Sequence, residues 1–431
     1  MKQKESWNKV PKVTSKNINI LKNTSSLSLD DKNTFLAHGL GRSYGDVCLN
    51  ENGNLLVTTN LNKIIKIDSE GGVVKCESGV SINDLLRIIV PLGWFLPVVP
   101  GTRYVTIGGA IANDIHGKNH HNSGSFGNFI NQFELMRSNG EILVCNSKEN
   151  SQLFKATIGG LGLTGLITWA ELKLKKISNA YLTSQTERFG DIDSYWELNE
   201  TLERKYEYTV AWIDCLFDKK QKLRGVFHSG NHSESSQLDK SDSNFSIPFP
   251  VTSPVSLVNK VSINLLNQLY FSVNKKSKDK AQAYKSFFFP LDVITSWNKV
   301  YGRKGFYQYQ FVIPGKNSRS GVQEIIKAIS LSKESPSLGV LKNFGGIPSI
   351  GMMSFPREGV TFAIDFPNRG TSTLKLLDIL DAIVLEHGGS IYPAKDARMS
   401  SETFTKSFPN ISTFSKYVDP NFSSSFWRRV S

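Results

Sequence analysis

The stretch Pro100-Gly-Thr-Arg-Tyr-Val-Thr-Ile-Gly-Gly-Ala-Ile-Ala-Asn-Asp-Ile-His-Gly-Lys-Asn-His-His121 packs glycines and small residues too densely for ordinary scaffold. Gly101, Gly108, Gly109 and Gly117 leave the backbone bare, so main-chain N–H groups can approach a large anionic or planar ligand more closely than any Cβ allows. Upstream, Ala37-His-Gly-Leu-Gly-Arg-Ser-Tyr-Gly-Asp46 repeats that chemistry: a short apolar strand, a glycine-rich turn, then Arg42 and Ser43 as donors for phosphate oxygens. Two such loops predict a dinucleotide held along its length.

A chain of 431 residues predicts two domains. No run of about 18 apolar residues suggests a membrane span. The nearest candidate, Ile88 to Val99, is interrupted by Pro91, Gly93 and Pro97 and reads as a buried turn. The charged N-terminus lacks a following apolar stretch, so a cytoplasmic protein is expected. Cys48, Cys76, Cys145 and Cys215 form no Cys-x-x-Cys pair, which fits reduced structural thiols better than a disulfide framework or zinc site. A net charge of +13 favours anionic partners such as phosphates or an acidic lipid surface. Nucleic acid is not an expected partner, because no nucleic-acid module accompanies the charge.

β-Branched strands at Leu55–Thr59 and Val73–Cys76 precede Ser81, which opens a helix with Asp84 at capping-box spacing. Ile107–Ala112, Ile142–Cys145 and Leu166–Leu174 read as further strands. This α+β unit closes near residue 178. Strands at Tyr208–Asp214, Leu223–His228, Phe306–Ile313 and Val360–Phe366 then predict a second sheet, covered by helices near 320–332 and 373–387. Residues 229–280 are rich in Ser, Asn and Lys and contain Pro248, Pro250 and Pro254, so a mobile surface loop is expected there.

Gly160-Leu-Gly-Leu-Thr-Gly165 fits the dinucleotide fingerprint, but that fingerprint needs a following helix and Leu166 onward alternates like a strand. His116, His120 and His121 lie in a segment too glycine-rich for a helical metal site, and no carboxylate cluster completes a shell, so no metal is expected. His116 alone fits a satisfied buried histidine as well as a ligand contact. Gln308 and Gln310 share one strand face, opposite Tyr307, Tyr309 and Phe311. Two such glutamines either meet solvent or line a wet pocket. A lysine such as Lys395 is ordinarily a solvated surface group, and Lys118 and Lys342 fit plain surface charge as well as contacts to substrate phosphate or hydroxyls.

The two glycine-rich loops, in this order, resemble the FAD-binding half of the vanillyl-alcohol oxidase superfamily. Gly-Arg-Ser-Tyr-Gly-Asp together with Ile-His-Gly-Lys-Asn-His-His resembles its decaprenylphosphoryl-β-D-ribose 2-oxidase family. The likeness continues through Gly159–Gly165, Tyr307–Pro314, Asp365–Pro367 and Tyr392–Arg398, nearly the whole chain. It implies a two-domain, PCMH-type FAD-binding α+β fold whose substrate domain is an antiparallel sheet covered by helices. The implied boundaries are 1–178 for the FAD domain, 179–389 for the substrate domain and 390–431 for a return to the flavin.

The implied cofactor contacts are Gly39, Gly41, Arg42, Ser43, Tyr44 and Gly45 in one loop. In the other they are Gly101, Thr106, Ile107, Gly108, Gly109, Asn113, Asp114 and His116, with Ile167 and Tyr392 from later segments. The resemblance places Gln308, Gln310 and Ala363 at the substrate, with Lys118 and Lys342 as weaker candidates there, and Lys395, His116 and Gln310 at the chemistry. A desolvated Lys395 would handle the hydroxyl proton. Relatives targeted by covalent inhibitors carry cysteine at the position of Ala363. Many relatives tether FAD through a histidine after the first turn, where this chain has Arg42, so non-covalent FAD is expected.

The activity implied is oxidation of a secondary sugar hydroxyl, in that family the C2 hydroxyl of a polyprenyl-phosphoryl ribose. A separate NAD(P)H-dependent short-chain reductase completes the epimerisation. The alternatives are a soluble aldonolactone or alditol oxidase, and a basic membrane- or nucleic-acid-binding module without catalysis. Apolar Val255 to Val273, followed by Lys275, Lys276, Lys278 and Lys280, predicts peripheral contact with the inner face of a membrane.

Overall fold

The computed structural model describes every residue except 1–3, 25–26, 28, 30–31, 218–222 and 235–245. A three-stranded parallel sheet joins Asn17–Ile20, Asn54–Val57 and Phe35–His38, with Asn54–Val57 in the middle. Beside it, Ile64–Asp68, Val73–Glu77, Leu166–Lys173, Ile130–Met136 and Ile142–Asn146 form a five-stranded antiparallel sheet in that order. Leu166 is indeed in a strand rather than a helix, as a site unlike the βαβ fingerprint requires.

The helix Ile82–Ile89 starts where the capping pattern places it, with the Asp84 N–H donating to Ser81 Oγ at 3.1 Å. Ile107–Ala112, expected as a strand, is instead a helix, and the Gly109 N–H donates to its cap Thr106 at 3.2 Å. A six-residue run of Ile, Gly and Ala has no decisive period, so the cap settled the outcome.

Eight strands make the large sheet. From one edge they run Ser277–Ala283, Tyr181–Phe189, Gly225–His232, Tyr208–Ile213, Gly339–Phe344, Gly359–Pro367, Phe306–Ile313 and Ser390–Ile391, every pair antiparallel. Residues directly opposite on paired strands share a face. Ala211, Leu341, Phe362 and Phe311 therefore point one way, into a core with Ile325 and Leu380 from the helices Gly315–Leu331 and Thr371–Glu386. Trp212, Val340, Ala363 and Gln310 point the other way. That second face floors the cavity described below.

The loop expected over 229–280 is substantially ordered. It contains the end of one strand, the helix Lys260–Val273 and the edge strand from Ser277. Its Ser- and Lys-rich composition hid the helix, which Asn259 caps by accepting from the Val261 and Ser262 N–H groups. Residues 235–245 of that stretch lie outside the described residues.

The C-terminal segment ties the two sheets together. The Tyr392 N–H donates to Gln310 O at 2.9 Å and its hydroxyl to Asn113 O at 3.0 Å, while Ala394 O accepts from the Tyr44 N–H. Arg429 bridges Asp46 and Asp396 at 2.7 and 3.0 Å. Gly45 sits at this seam because a Cβ there would lie 1.6 Å from Asp396 O, inside its van der Waals shell.

Candidate active site

The first glycine-rich turn, the Ile107–Ala112 helix and the free face of the large sheet enclose a cleft of about 1830 Å³, counting its part open to solvent. Gly39, Gly41, Arg42, Ser43 and Tyr44 line it from one loop, and Gly101, Thr106, Gly108, Gly109, Asn113 and His116 from the other. Ile167, Gln308, Gln310, Lys342, Ala363, Tyr392 and Lys395 complete the wall from the remaining elements. Arg42 Nε, Ser78 Oγ and Asn113 Oδ1 are buried in that wall without a hydrogen-bond partner among the described residues. Unsatisfied donors and acceptors around a glycine-lined cleft fit a polar dinucleotide such as FAD.

Four expected contact residues do not line the cleft. Gly45 is spent on the seam with Asp396, and Ile107 points into the core. Asp114 is fully buried, where it accepts from the Gly127 N–H at 2.8 Å and from Ser125 and Ser354, a loop-holding role. Lys118 donates to Phe287 O, and its ammonium lies 4.7 Å from the Phe287 ring centroid. Desolvation pushes Lys118 down to about 7.

In the cleft wall, one proton arrangement satisfies His116 and its neighbours. Thr361 Oγ1 donates to Phe311 O at 2.7 Å, so it accepts from Gln310 Nε2 at 3.1 Å. That orientation turns the second amide hydrogen of Gln310 toward His116 Nε2 at 3.0 Å, which must accept. The remaining ring nitrogen, Nδ1, then carries the hydrogen and donates to Lys342 Nζ at 2.8 Å. Lys342 accepts only as a neutral amine, which agrees with desolvation and the nearby lysines pushing it down to about 7. Burial holds His116 neutral as well, well below the usual imidazole range.

Lys395 reaches the same cleft from the short turn Pro393–Lys395, its ammonium 3.6 Å from the Tyr44 ring centroid. Desolvation lowers it to about 7, and the charge of Asp365 partly opposes that fall. Asp365, directly opposite Gln308 in the sheet, accepts from Gln308 Nε2 at 2.6 Å and leaves Oδ2 buried without a partner among the described residues. Burial raises Asp365 to about 7 against the pull of Gln308 and Lys395. The cleft thus sets an amine poised between protonation states beside two amide side chains, a set that can accept a hydroxyl proton while binding neighbouring hydroxyls.

Sequence reasoning missed one part of the cleft wall. Trp7, Leu291 and Trp297 line it, and the Trp7 and Trp297 rings meet edge to face at 5.6 Å. Arg42 stacks 4.1 Å from the Trp7 ring centroid. Isolated tryptophans between polar residues carry no periodic signal. Asp365 was visible as a matched residue, but its role comes only from the register that sets it against Gln308.

His120 packs 4.3 Å from the Phe344 ring and His121 Nε2 contacts Tyr206 O at 3.1 Å, so the three histidines do not converge. Among the described residues no group of three His, Cys, Asp or Glu is placed to hold a metal ion. All four cysteines are free thiols.

Residues 13–146 match the FAD binding domain family. The chain is 36% identical over 92% of its length to decaprenylphosphoryl-β-D-ribose oxidase of Mycolicibacterium smegmatis, covering 88% of that protein. The chain belongs to that family. It is an FAD-dependent oxidoreductase with a PCMH-type fold. A second relative, the protein in the mprA 5′ region of Streptomyces coelicolor, is 28% identical over 81% of the chain and covered in full. A D-arabinono-1,4-lactone oxidase of Neurospora crassa is 30% identical over 31% of the chain and 24% of its own length. The family match spans both sheets, whereas the lactone oxidase match spans less than a third of the chain.

Proposed function

We propose that the protein oxidises the C2 hydroxyl of a polyprenyl-phosphoryl ribose to a ketone, the first half of an epimerisation that a separate NAD(P)H-dependent short-chain reductase completes. The observation that carries this reading is the meeting of Lys395, Gln308, Gln310 and Lys342 in one cleft wall with the glycine loops. When bound, FAD supplies the hydride acceptor. Lys395 as its free amine takes the hydroxyl proton. Gln308, held by Asp365, keeps an amide hydrogen and its carbonyl oxygen for the sugar's other hydroxyls, and Gln310, whose two amide hydrogens go to Thr361 and His116, offers its carbonyl oxygen as an acceptor. Gln310 and Lys342 fix the His116 ring from its two nitrogens, so the imidazole forms a neutral, oriented wall.

The cofactor is held without a covalent bond, because Arg42 occupies the position of the tethering histidine and its guanidinium is already stacked on Trp7. In this reading the enzyme meets its lipid-linked substrate from the cytoplasm, peripherally at the inner face of the membrane. No described helix is long and apolar enough to cross a membrane.

The test is anaerobic bleaching of the flavin by a panel of polyprenyl-phosphoryl ribose, free ribose, alditols and aldonolactones. Fast bleaching by the lipid-linked sugar is the expected result. Bleaching by an aldonolactone or alditol, with none by the lipid-linked sugar, would replace this reading with a soluble-sugar oxidase.

A further inference from the structure

The helix Lys260–Val273 carries no charged residue after Lys260 and turns its leucines outward. Val261, Leu265, Leu266, Leu269 and Val273 are 59–79% exposed, and at 100° per residue they fall within an arc of about 140°. The opposite arc holds the helix to the protein largely through polar and aromatic groups. Asn267 Nδ2 donates to Asp214 Oδ1 at 2.6 Å, Tyr270 packs 4.6 Å from the Trp212 ring, and Phe271 lies under Arg188 and Arg224. The helix is therefore positioned with its apolar face out. A contiguous exposed apolar face of this size marks a binding surface.

Its place in the fold says what the surface meets. Trp212, the residue under Tyr270, shares a sheet face with Val340 and Gln310 of the cleft, so the helix lies on the cleft side of the sheet. Val255, Ile247 and Ile294 are exposed as well; Ile247 pairs with Ile294, which follows closely on Leu291, itself part of the cleft wall. Beyond the helix, Lys275, Lys276, Lys278 and Lys280 are all exposed; Asp279 lies among them and Lys276 is ion-paired with Glu187 at 3.0 Å. Apolar side chains on one arc, bordered by lysines in a chain of charge +13, match an acidic bilayer, with the leucines among the acyl chains and the lysines at the headgroups.

We propose that the outward face of the Lys260–Val273 helix is an interfacial anchor that lays the mouth of the cleft against an acidic lipid bilayer. This deepens the reading of a lipid-linked substrate and rests on it for its purpose, though the anchoring itself is independent of catalysis. The polyprenyl chain then stays in the membrane while the sugar phosphate enters the cleft.

Co-sedimentation of the full-length, flavin-loaded protein with vesicles of phosphatidylcholine, alone or mixed with phosphatidylglycerol, tests the anchor. The wild type should bind the acidic vesicles, and less so in high salt. Replacing Leu265 and Leu269 with Asp should weaken binding about tenfold or more, with flavin content and melting temperature unchanged. The milder pair Leu265→Ser and Leu269→Ser should fall between. Changing the four lysines to Gln should remove the preference for acidic lipid.

Absence of wild-type binding, or binding by the Asp pair equal to wild type, overturns the anchor. So does a wild-type dimer that the Asp pair dissociates without any vesicle binding, which would make the face a self-interface. Vesicle binding without flavin bleaching by the lipid-linked sugar leaves the anchor standing and defeats the substrate reading. The converse result defeats the anchor alone.

Discussion

If Lys395 takes the hydroxyl proton, its protonation state should be readable in the rate of flavin reduction. Desolvation brings the ammonium down to about 7, with Asp365 holding it up against that fall. The sign follows directly: the active form is the free amine, so the rate constant rises with pH and levels off above the pKa. With a pKa of about 7 the amine fraction is about a tenth at pH 6 and about nine-tenths at pH 8, so the limb should span about tenfold. Lys395→Met should keep bound FAD, flatten the limb and slow reduction about 100-fold or more, equivalent to ~2.7 kcal/mol of barrier. Lys395→Arg stays charged and should not rescue.

Two nearby groups could imitate the limb, and each has its own control. Lys342 also lies near 7, so Lys342→Met should preserve the limb if Lys395 is the base. Asp365→Asn removes the charge that opposes the shift, so the limb should move to lower pH. The assay is anaerobic stopped-flow reduction across pH. Near-normal reduction by Lys395→Met, or rescue by Arg, would refute proton transfer to Lys395.

Acid precipitation should release the flavin into the supernatant; flavin retained in the pellet would contradict non-covalent binding. Burial raises Cys48, Cys76 and Cys145 to about 12 and Cys215 well above its ordinary value, so the native enzyme should resist iodoacetamide at neutral pH. Ala363→Cys should add a labelled thiol in the cleft, and its labelling should block substrate-driven flavin reduction. Lys118 lies near 7 when folded and near 10.4 when unfolded, so the unfolded state binds its proton over that interval and stability rises with pH. Lys118→Met should flatten the pH dependence of unfolding between those values by up to about 1.4 kcal/mol per pH unit; an unchanged slope would show that Lys118 is not desolvated.

The parts of the site that sequence makes legible are those whose chemistry is local. Gly39, Gly41 and Arg42 form a donor-rich turn within a few residues of one another, and Gln308 and Gln310 share a face because a strand has a period of two. What sequence left open depends on contacts between distant segments. Asp365 becomes a partner of Gln308 only through strand pairing, Lys118 turns away from the cleft to reach Phe287 O, and Trp7 joins a residue far along the chain, Trp297. The Lys260–Val273 helix illustrates the same division: its apolar composition was readable, whereas its orientation is set by Asn267 reaching Asp214 and Tyr270 reaching Trp212. A helix placed in water by apolar periodicity alone would have buried Leu265 and Leu269. Here Asn267, Tyr270 and the buried Ile263 set the rotation and leave those leucines outward, which is the orientation from which the anchor is inferred.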